Sequence, residues 1–371
     1  MAEPIPAHVR TCDAQLHRVL ERVAFSRYLN PTNAPEAHEK FLGGANARFE
    51  YLPFPDAEDV LAELEHALPD GDHPAATLVR KAVEAVIVLV LALRDRTAEA
   101  FDRLNVLSDW YPTPAELTVP VPDKQLFDRE LPLVTATELQ QALQKALDER
   151  GLTDWTIELD RVMAARVLVD SAKRLLRLHP DAHFHTRDLR RLVVHEIDVH
   201  AIRGVNGESQ ALRCFETGLP GSLLTEEGLA ILAEEIAGVS TPGVLSRQRE
   251  VLRAVDHART AGIDDVYRAL TRSVGASTAW GIALRIKRGL ADPYAPGVYA
   301  KDTVYLRGRI RVRAWLDAGG DIRDLYVGKV GIEDPVAEWR EQGWVKDRPV
   351  PALWAALSRP GSAGSSTGTP P

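Results

Sequence analysis

The run V-V-H-E-I-D-V-H-A-I at residues 193–202 sets His195 and His200 five positions apart inside a segment with helix signals at both ends. Thr186 and Asp188 mark its start and Gly204 its expected stop. In an ideal α-helix each residue turns about 100°, so a four-residue spacing returns to within about 40° of its start and a five-residue spacing leaves side chains roughly 140° apart. An undistorted helix therefore points the two imidazoles at different faces. One extra residue absorbed as a π-type widening realigns them, and such widenings recur at functional sites. The familiar H-E-x-x-H metal helix uses the four-residue spacing, with the glutamate beside the first histidine as base. Here the chain must widen its helix for both histidines to serve one ion.

A catalytic zinc takes three protein ligands and keeps one position open, and an acidic residue from a following helix is the usual third. The segment T-E-E-G-L-A (225–230) opens a second expected helix, capped by Thr225 and ending near Gly238, and offers Glu226 and Glu227. Carboxylates in a first helical turn are also favoured by the macrodipole alone. Periodicity separates the two: Glu227 shares a face with Ala230, Ile231 and Glu234, so it looks inward, where a carboxylate needs a partner or a metal. Gly228 costs helix stability and signals close approach of another group to that turn. Glu227 is the expected third ligand, with Glu226 left open beside it. A second cluster, His179, His183 and His185, has no neighbouring carboxylate suited to the base role and reads as a surface strand.

Composition narrows the function classes. The 371 residues carry a formal net charge of -8, which lacks the basic excess of a non-specific nucleic-acid binder, so no nucleic-acid partner is expected. Two cysteines, Cys12 and Cys214, without a C-x-x-C pair fit a reducing compartment and exclude a cysteine-rich zinc site. The N-terminus has neither a basic nor an apolar leader region, and a cytoplasmic location is expected. The apolar run Ala82 to Leu93 is too short to span a bilayer and contains Glu84, so it reads as a buried helix with no membrane partner.

Along the chain, residues 1–150 form a helical N-terminal region, with helices expected near 12–28, 57–68, 75–104 and 136–150 and a proline-rich connector at 110–122. After Gly151 short strands are expected in W-T-I-E-L-D, A-R-V-L-V-D and R-L-L-R-L. Residues 151–358 make the catalytic part, and the tail at 359–371 is expected to be disordered.

These segments together resemble the tyrosine carboxypeptidase family of zinc peptidases, whose bacterial members carry a Q-E-G-L-A motif. The resemblance rests on L-R-R-L-V-V-H-E-I-D-V-H (189–200), N-G-E-S-Q-A-L-R-C-F-E-T-G-L-P-G (206–221), T-E-E-G-L-A (225–230), Y-A-K-D-T-V-Y-L-R-G (299–308) and L-Y-V-G-K-V-G-I-E-D-P (325–335). It implies an α+β, zincin-like metallopeptidase, mostly helical with a small mixed or antiparallel sheet. It also implies Zn²⁺ held by His195, His200 and Glu227, with Glu196 as general base for hydrolysis at a peptide or protein C-terminus, aromatic by family analogy. Two departures stand out: Glu226 where bacterial relatives often have Gln, and Asp198 inside the metal helix. An exopeptidase of this kind needs a cation for the terminal carboxylate and a donor for the oxyanion. Lys301, Tyr305 and Arg307 lie in a family-like segment and are the substrate-binding candidates, although R-G-R-I-R-V-R (307–313) also reads as a solvated basic face. The alternatives are a dipeptidyl peptidase or peptide-maturation protease on the same zinc site, or a non-catalytic binding or regulatory protein on this scaffold.

Overall fold

A computed structural model describes residues 4–356, apart from residues 47, 122–131, 162–165 and 241. The expected tail lies outside the described residues, as do the last residue of the proline-rich connector and the start of A-R-V-L-V-D.

Helices dominate, and the architecture is α+β. The N-terminal region opens with Ala7–Arg22 and Phe25–Leu29 and continues through Ala34–Leu42 and Ala57–His66. The expected single helix at 75–104 is two, Pro74–Asp95 and Ala98–Leu107, because Arg96 takes a left-handed conformation (φ 53°) and Thr97 caps the second through its side chain. The apolar run at 82–93 lies within the first of these, between two core clusters. No helix among the described residues is long and apolar enough to cross a membrane.

Strands occupy a small part of the chain. β1 (Leu133–Val134) pairs antiparallel with β5 (Phe184–His185). β2 (Thr156–Leu159), β3 (Val167–Asp170) and β4 (Leu175–Leu178) form a mixed sheet of order β2-β4-β3, with β4 parallel to β2 and antiparallel to β3. The buried residues of β4, Leu176 and Leu178, pack with Leu139, Leu143 and Leu147 of helix Ala136–Glu149 and with Ile197 and Ala201 of the histidine helix. The sheet and that helix thus support the histidine helix from one side. The largest core cluster joins Val79, Val83 and Val90 of the N-terminal region to Val194, Val199, Leu229 and Leu232, so apolar packing runs across residue 150.

Candidate metal centre

The helix bearing the two histidines is α-helical at Thr186–Leu192, a π-helix at Val193–Ala201 and α-helical again at Ile202–Glu208. The widening required by the five-residue spacing is present, and it brings the two imidazole rings to a centroid separation of 5.0 Å. Gly204 does not stop this helix. A Cβ there would lie 2.4 Å from Ser171 Oγ, so the glycine admits the turn after β3 against the helix.

The second helix runs Ser222–Ile236, starting four residues earlier than expected. Thr225 is not its cap; its hydroxyl accepts from the Ile332 N–H at 3.0 Å. Glu226 and Glu227 therefore fall beyond the first turn, and the macrodipole does not account for them. Gly228 meets the helix Val304–Asp317: a Cβ on Gly228 would lie 2.3 Å from the Gly308 carbonyl carbon. The two helices cross backbone to backbone at this glycine pair, immediately beside Glu227.

The result is a convergent set of three side chains. Glu227 Oε2 lies 3.7 Å from His195 Nε2 and 3.8 Å from His200 Nε2. One ligand atom from each residue can be chosen with all three within 4.8 Å of one another, and among the described residues no other group of His, Cys, Asp or Glu meets that condition. Glu227 Oε2 is buried and has no hydrogen-bond partner among the described residues. A buried carboxylate oxygen left bare is costly unless a hydrogen-bond donor or a cation answers it. Tetrahedral bonds of 2.0–2.1 Å would separate neighbouring ligand atoms by about 3.4 Å, close to the spacings found. The donor set and its spacing fit zinc.

The other ring nitrogens are fixed by carboxylates. His195 Nδ1 bonds Glu234 Oε1 at 2.9 Å, and His200 Nδ1 bonds Glu226 Oε1 at 2.7 Å. Each bond turns the remaining nitrogen, Nε2, toward Glu227, the arrangement by which carboxylates orient metal-binding histidines. Glu234 also accepts from Arg191 Nη1 at 3.2 Å. Glu226 is flanked by Lys329 Nζ and Arg203 Nη1, both at 3.5 Å. Burial pushes the Glu226 carboxyl up, but Lys329, His200 and Arg203 outweigh it and hold the group well below the usual carboxylate range. Burial pushes His195 down, while Glu196, Glu227 and Glu234 prevail and raise it to about 10 in the metal-free protein. Arg203 is itself pinned by its Nε to Leu325 O at 2.8 Å and its Nη2 to Val330 O at 2.6 Å, so the segment 325–335 wraps the back of the site. Asp198 points away from the cluster into a two-bond pair with Arg150, at the end of helix Ala136–Glu149.

A family described as Microtubule-associated tyrosine carboxypeptidase matches residues 116–363. The chain belongs to that family. It is 31% identical over 235 residues to the human Microtubule-associated tyrosine carboxypeptidase 1, covering 61% of this chain and 49% of that protein. The mouse protein of the same name is 26% identical over 235 residues, again 61% of this chain and 50% of the relative. The match thus spans about half the length of these relatives.

Within the family-matched region, the remaining predicted residues divide. Glu196, 9% exposed, follows His195 and acts electrostatically on both the His195 ring and the Tyr305 phenol. Tyr305 lies at the start of helix Val304–Asp317; the Glu227 charge, then burial, then Asp302 push its hydroxyl well above the ordinary value, so it remains an O–H donor. Lys301 sits on a separate 3₁₀ turn, Ala300–Thr303, partly exposed beside Asp302. Arg307 is a correction. Its side chain is fully buried, with Nε on Glu116 Oε2 at 2.8 Å and Nη2 on Asp109 Oδ1 at 3.3 Å, so both ends of the fork are occupied inside the protein. The rest of the basic run is paired as well: Arg311 with Glu116 and Asp109, Arg309 with Glu235. It is a clamp between elements and not a solvated face.

Glu234, Arg203 and Lys329 are the residues that reasoning from sequence left out. Only Glu234 carried a signal, its shared helical face with Glu227.

Proposed function

We propose that the chain is a zinc-dependent carboxypeptidase with a zincin-like site, removing a C-terminal residue from a peptide or protein. The carrying observation is the bare, buried Oε2 of Glu227 facing two Nε2 atoms whose opposite ring nitrogens are held by carboxylates. The names of the relatives support the reaction class and suggest tyrosine as the residue released.

In this reading His195, His200 and Glu227 hold the ion, with Glu234 and Glu226 orienting the imidazoles. When bound, zinc supplies a Lewis acid and a water nucleophile available at neutral pH. Glu196 takes the proton of the attacking water and returns it to the leaving amine. The Tyr305 hydroxyl, kept protonated by its acidic surroundings, donates to the developing oxyanion. The buried position of His195, Glu196 and Glu227 limits bulk water around the reacting carbonyl.

The test is metal content and hydrolysis of C-terminally free, tyrosine-ended peptides by the parent chain, His195→Ala, Glu227→Ala and Glu196→Gln. The expected result is about one zinc per chain in the parent and in Glu196→Gln, none in the other two, and hydrolysis by the parent alone. A parent that takes up no zinc, or a Glu196→Gln variant as active as the parent, sinks the proposal.

A further inference from the structure

A carboxypeptidase must recognise the negative charge one residue beyond the bond it cuts, and the only Arg of the three sequence candidates is consumed by Glu116 and Asp109. Cations nearer Tyr305 come from a different part of the chain. Asp302, buried on the 3₁₀ turn before Tyr305, accepts two bonds from Arg285, through Nε and through Nη2 at 2.9 Å, and a longer one from Arg288 Nη2 at 3.4 Å. Arg288 continues to Asn30 Oδ1 at 3.3 Å and lies over the Tyr299 ring, so it is fixed in place.

Arg247 joins this group from helix Pro242–Ala258, which packs on the helix of Arg285 and on the turn of Asp302. It is exposed and has no hydrogen bond or ion pair among the described residues. Its electrostatic neighbours are Arg285, a like charge, and Asp302, whose carboxylate is already shared by two other guanidiniums. Arg285 Nη1 likewise has no hydrogen-bond partner among the described residues. With Lys301 on the same turn, four cations stand around one carboxylate. Like charges held this close favour an anion between them, and the planar guanidinium fork matches a carboxylate.

Tyr305 connects this group to the candidate metal centre. It packs against an apolar cluster that contains Ile231, one turn after Glu227, and Leu245, two residues before Arg247. Its phenol senses Glu227 and Glu196 on one side and Asp302 and Arg285 on the other. We infer that Arg247, backed by the Arg285–Asp302 pair, is the anchor for the substrate's C-terminal carboxylate, with Tyr305 forming the floor between anchor and scissile bond. The inference rests on the carboxypeptidase reading and deepens it by naming the specificity residue.

The experiment measures binding without turnover and turnover separately. Binding of a hexapeptide ending in a free tyrosine carboxylate, and of its C-terminal amide, is titrated against zinc-loaded Glu196→Gln protein, alone and combined with Arg247→Ala or Arg247→Lys. The acid should bind about 10- to 100-fold tighter than the amide, a preference that Arg247→Ala abolishes and Arg247→Lys partly restores, with zinc content unchanged. In the active background Arg247→Ala should raise KM for the acid while leaving kcat within about twofold. Equal binding of acid and amide, no binding of either, or a preference that survives Arg247→Ala overturns the anchor. Hydrolysis by the parent with a preference indifferent to Arg247 would remove the anchor and leave the carboxypeptidase reading. An Arg247-dependent acid preference with no hydrolysis of any peptide would do the reverse.

Discussion

Replacing Gly228 by alanine tests how the helix crossing sets the candidate site. The new Cβ would sit 2.3 Å from the Gly308 carbonyl carbon and 2.4 Å from its oxygen, and ordinary contact begins at 3.4 Å. Restoring that contact requires the helices Ser222–Ile236 and Val304–Asp317 to part by about 1 Å, since both sides of the contact are backbone and neither can swing aside. Overpacking of this kind costs about 1–3 kcal/mol, and the absence of a flexible side chain places Gly228→Ala toward the upper end. The displacement also acts on function, because Glu227 adjoins Gly228 and Tyr305 lies three residues before Gly308. A misplacement of about 1 Å near reacting groups can cost on the order of 100-fold in rate. The assay is urea unfolding of the metal-free protein together with zinc affinity by chelator competition. Gly281→Ala is the control: that glycine lies in helix Ala276–Lys287 with nothing within 4 Å of its would-be Cβ, so alanine there should be neutral or stabilise by about 0.5–1 kcal/mol. If Gly228→Ala unfolds at the same urea concentration as Gly281→Ala and binds zinc as the parent does, the tight crossing does not position the site and the argument fails.

Three further outcomes follow from the same contacts. Glu234→Gln weakens the acceptor on His195 Nδ1 and should lower zinc affinity by about 10- to 100-fold, read by chelator competition; an unchanged affinity would show that the Glu234 bond does not orient the ring. Arg307→Ala leaves Glu116 buried without its principal cation and should destabilise the fold by about 3–5 kcal/mol in chemical denaturation, whereas a role confined to substrate would leave stability untouched. Burial pushes the Asp334 carboxyl up to about 6, above its unfolded value of 3.8, so its contribution is complete below about pH 4 and is lost as pH rises through 6. Against Asp334→Asn, the parent should therefore lose on the order of 2 kcal/mol of stability between those limits, and parallel pH profiles would refute the assignment.

How far the site could be read from sequence depended on whether the needed interaction was local. His195 and His200 are five residues apart on one helix, so geometry alone demanded the π-helix that is found at Val193–Ala201. Glu226 and Glu227 are adjacent and about 100° apart around the next helix, and periodicity favoured Glu227 without revealing that Glu226 grips His200 from behind. Gly228 was legible as a point of close approach, but its partner, Gly308, is eighty residues further along the chain. Gly204 gave the opposite error, a glycine read as a helix end that proved to be a packing contact with Ser171. Arg307 misled for the same reason of distance: its carboxylate, Glu116, lies in the proline-rich connector, where Thr113 and Glu116 form a capping box. The individual helices and short strands followed from local patterns, whereas the pairing of β2 with β4 and not with β3 is set by contacts that no short window contains.

The distribution of charge around the candidate metal centre explains why so much of the chain is committed to it. Four carboxylates, Glu196, Glu226, Glu227 and Glu234, converge on two imidazoles in a largely buried space, and carboxylates held that close repel one another unless cations answer them. Arg191 answers Glu234, while Arg203 and Lys329 answer Glu226. Glu227 and Glu196 are left without an arginine or lysine partner among the described residues, and they are the two assigned to the ion and to the proton. The supporting cations are in turn fixed by backbone carbonyls at 325 and 330 and by Asp188, so their charges are held in place before any substrate arrives. From the N-terminal region, Arg150 holds Asp198 on the opposite side of the same π-helix, and Asp13 accepts the Arg213 and Cys214 N–H groups at 2.5 and 2.9 Å. A π-helix is strained relative to an α-helix, and it persists where its surroundings over-determine it. Here those surroundings include a bidentate ion pair at Asp198, the Tyr326 hydroxyl on the Asp198 carbonyl at 3.0 Å, and carboxylates on both histidines. The helical region before residue 150 therefore acts on the site through identifiable bonds, and the widened helix is the element on which those bonds converge.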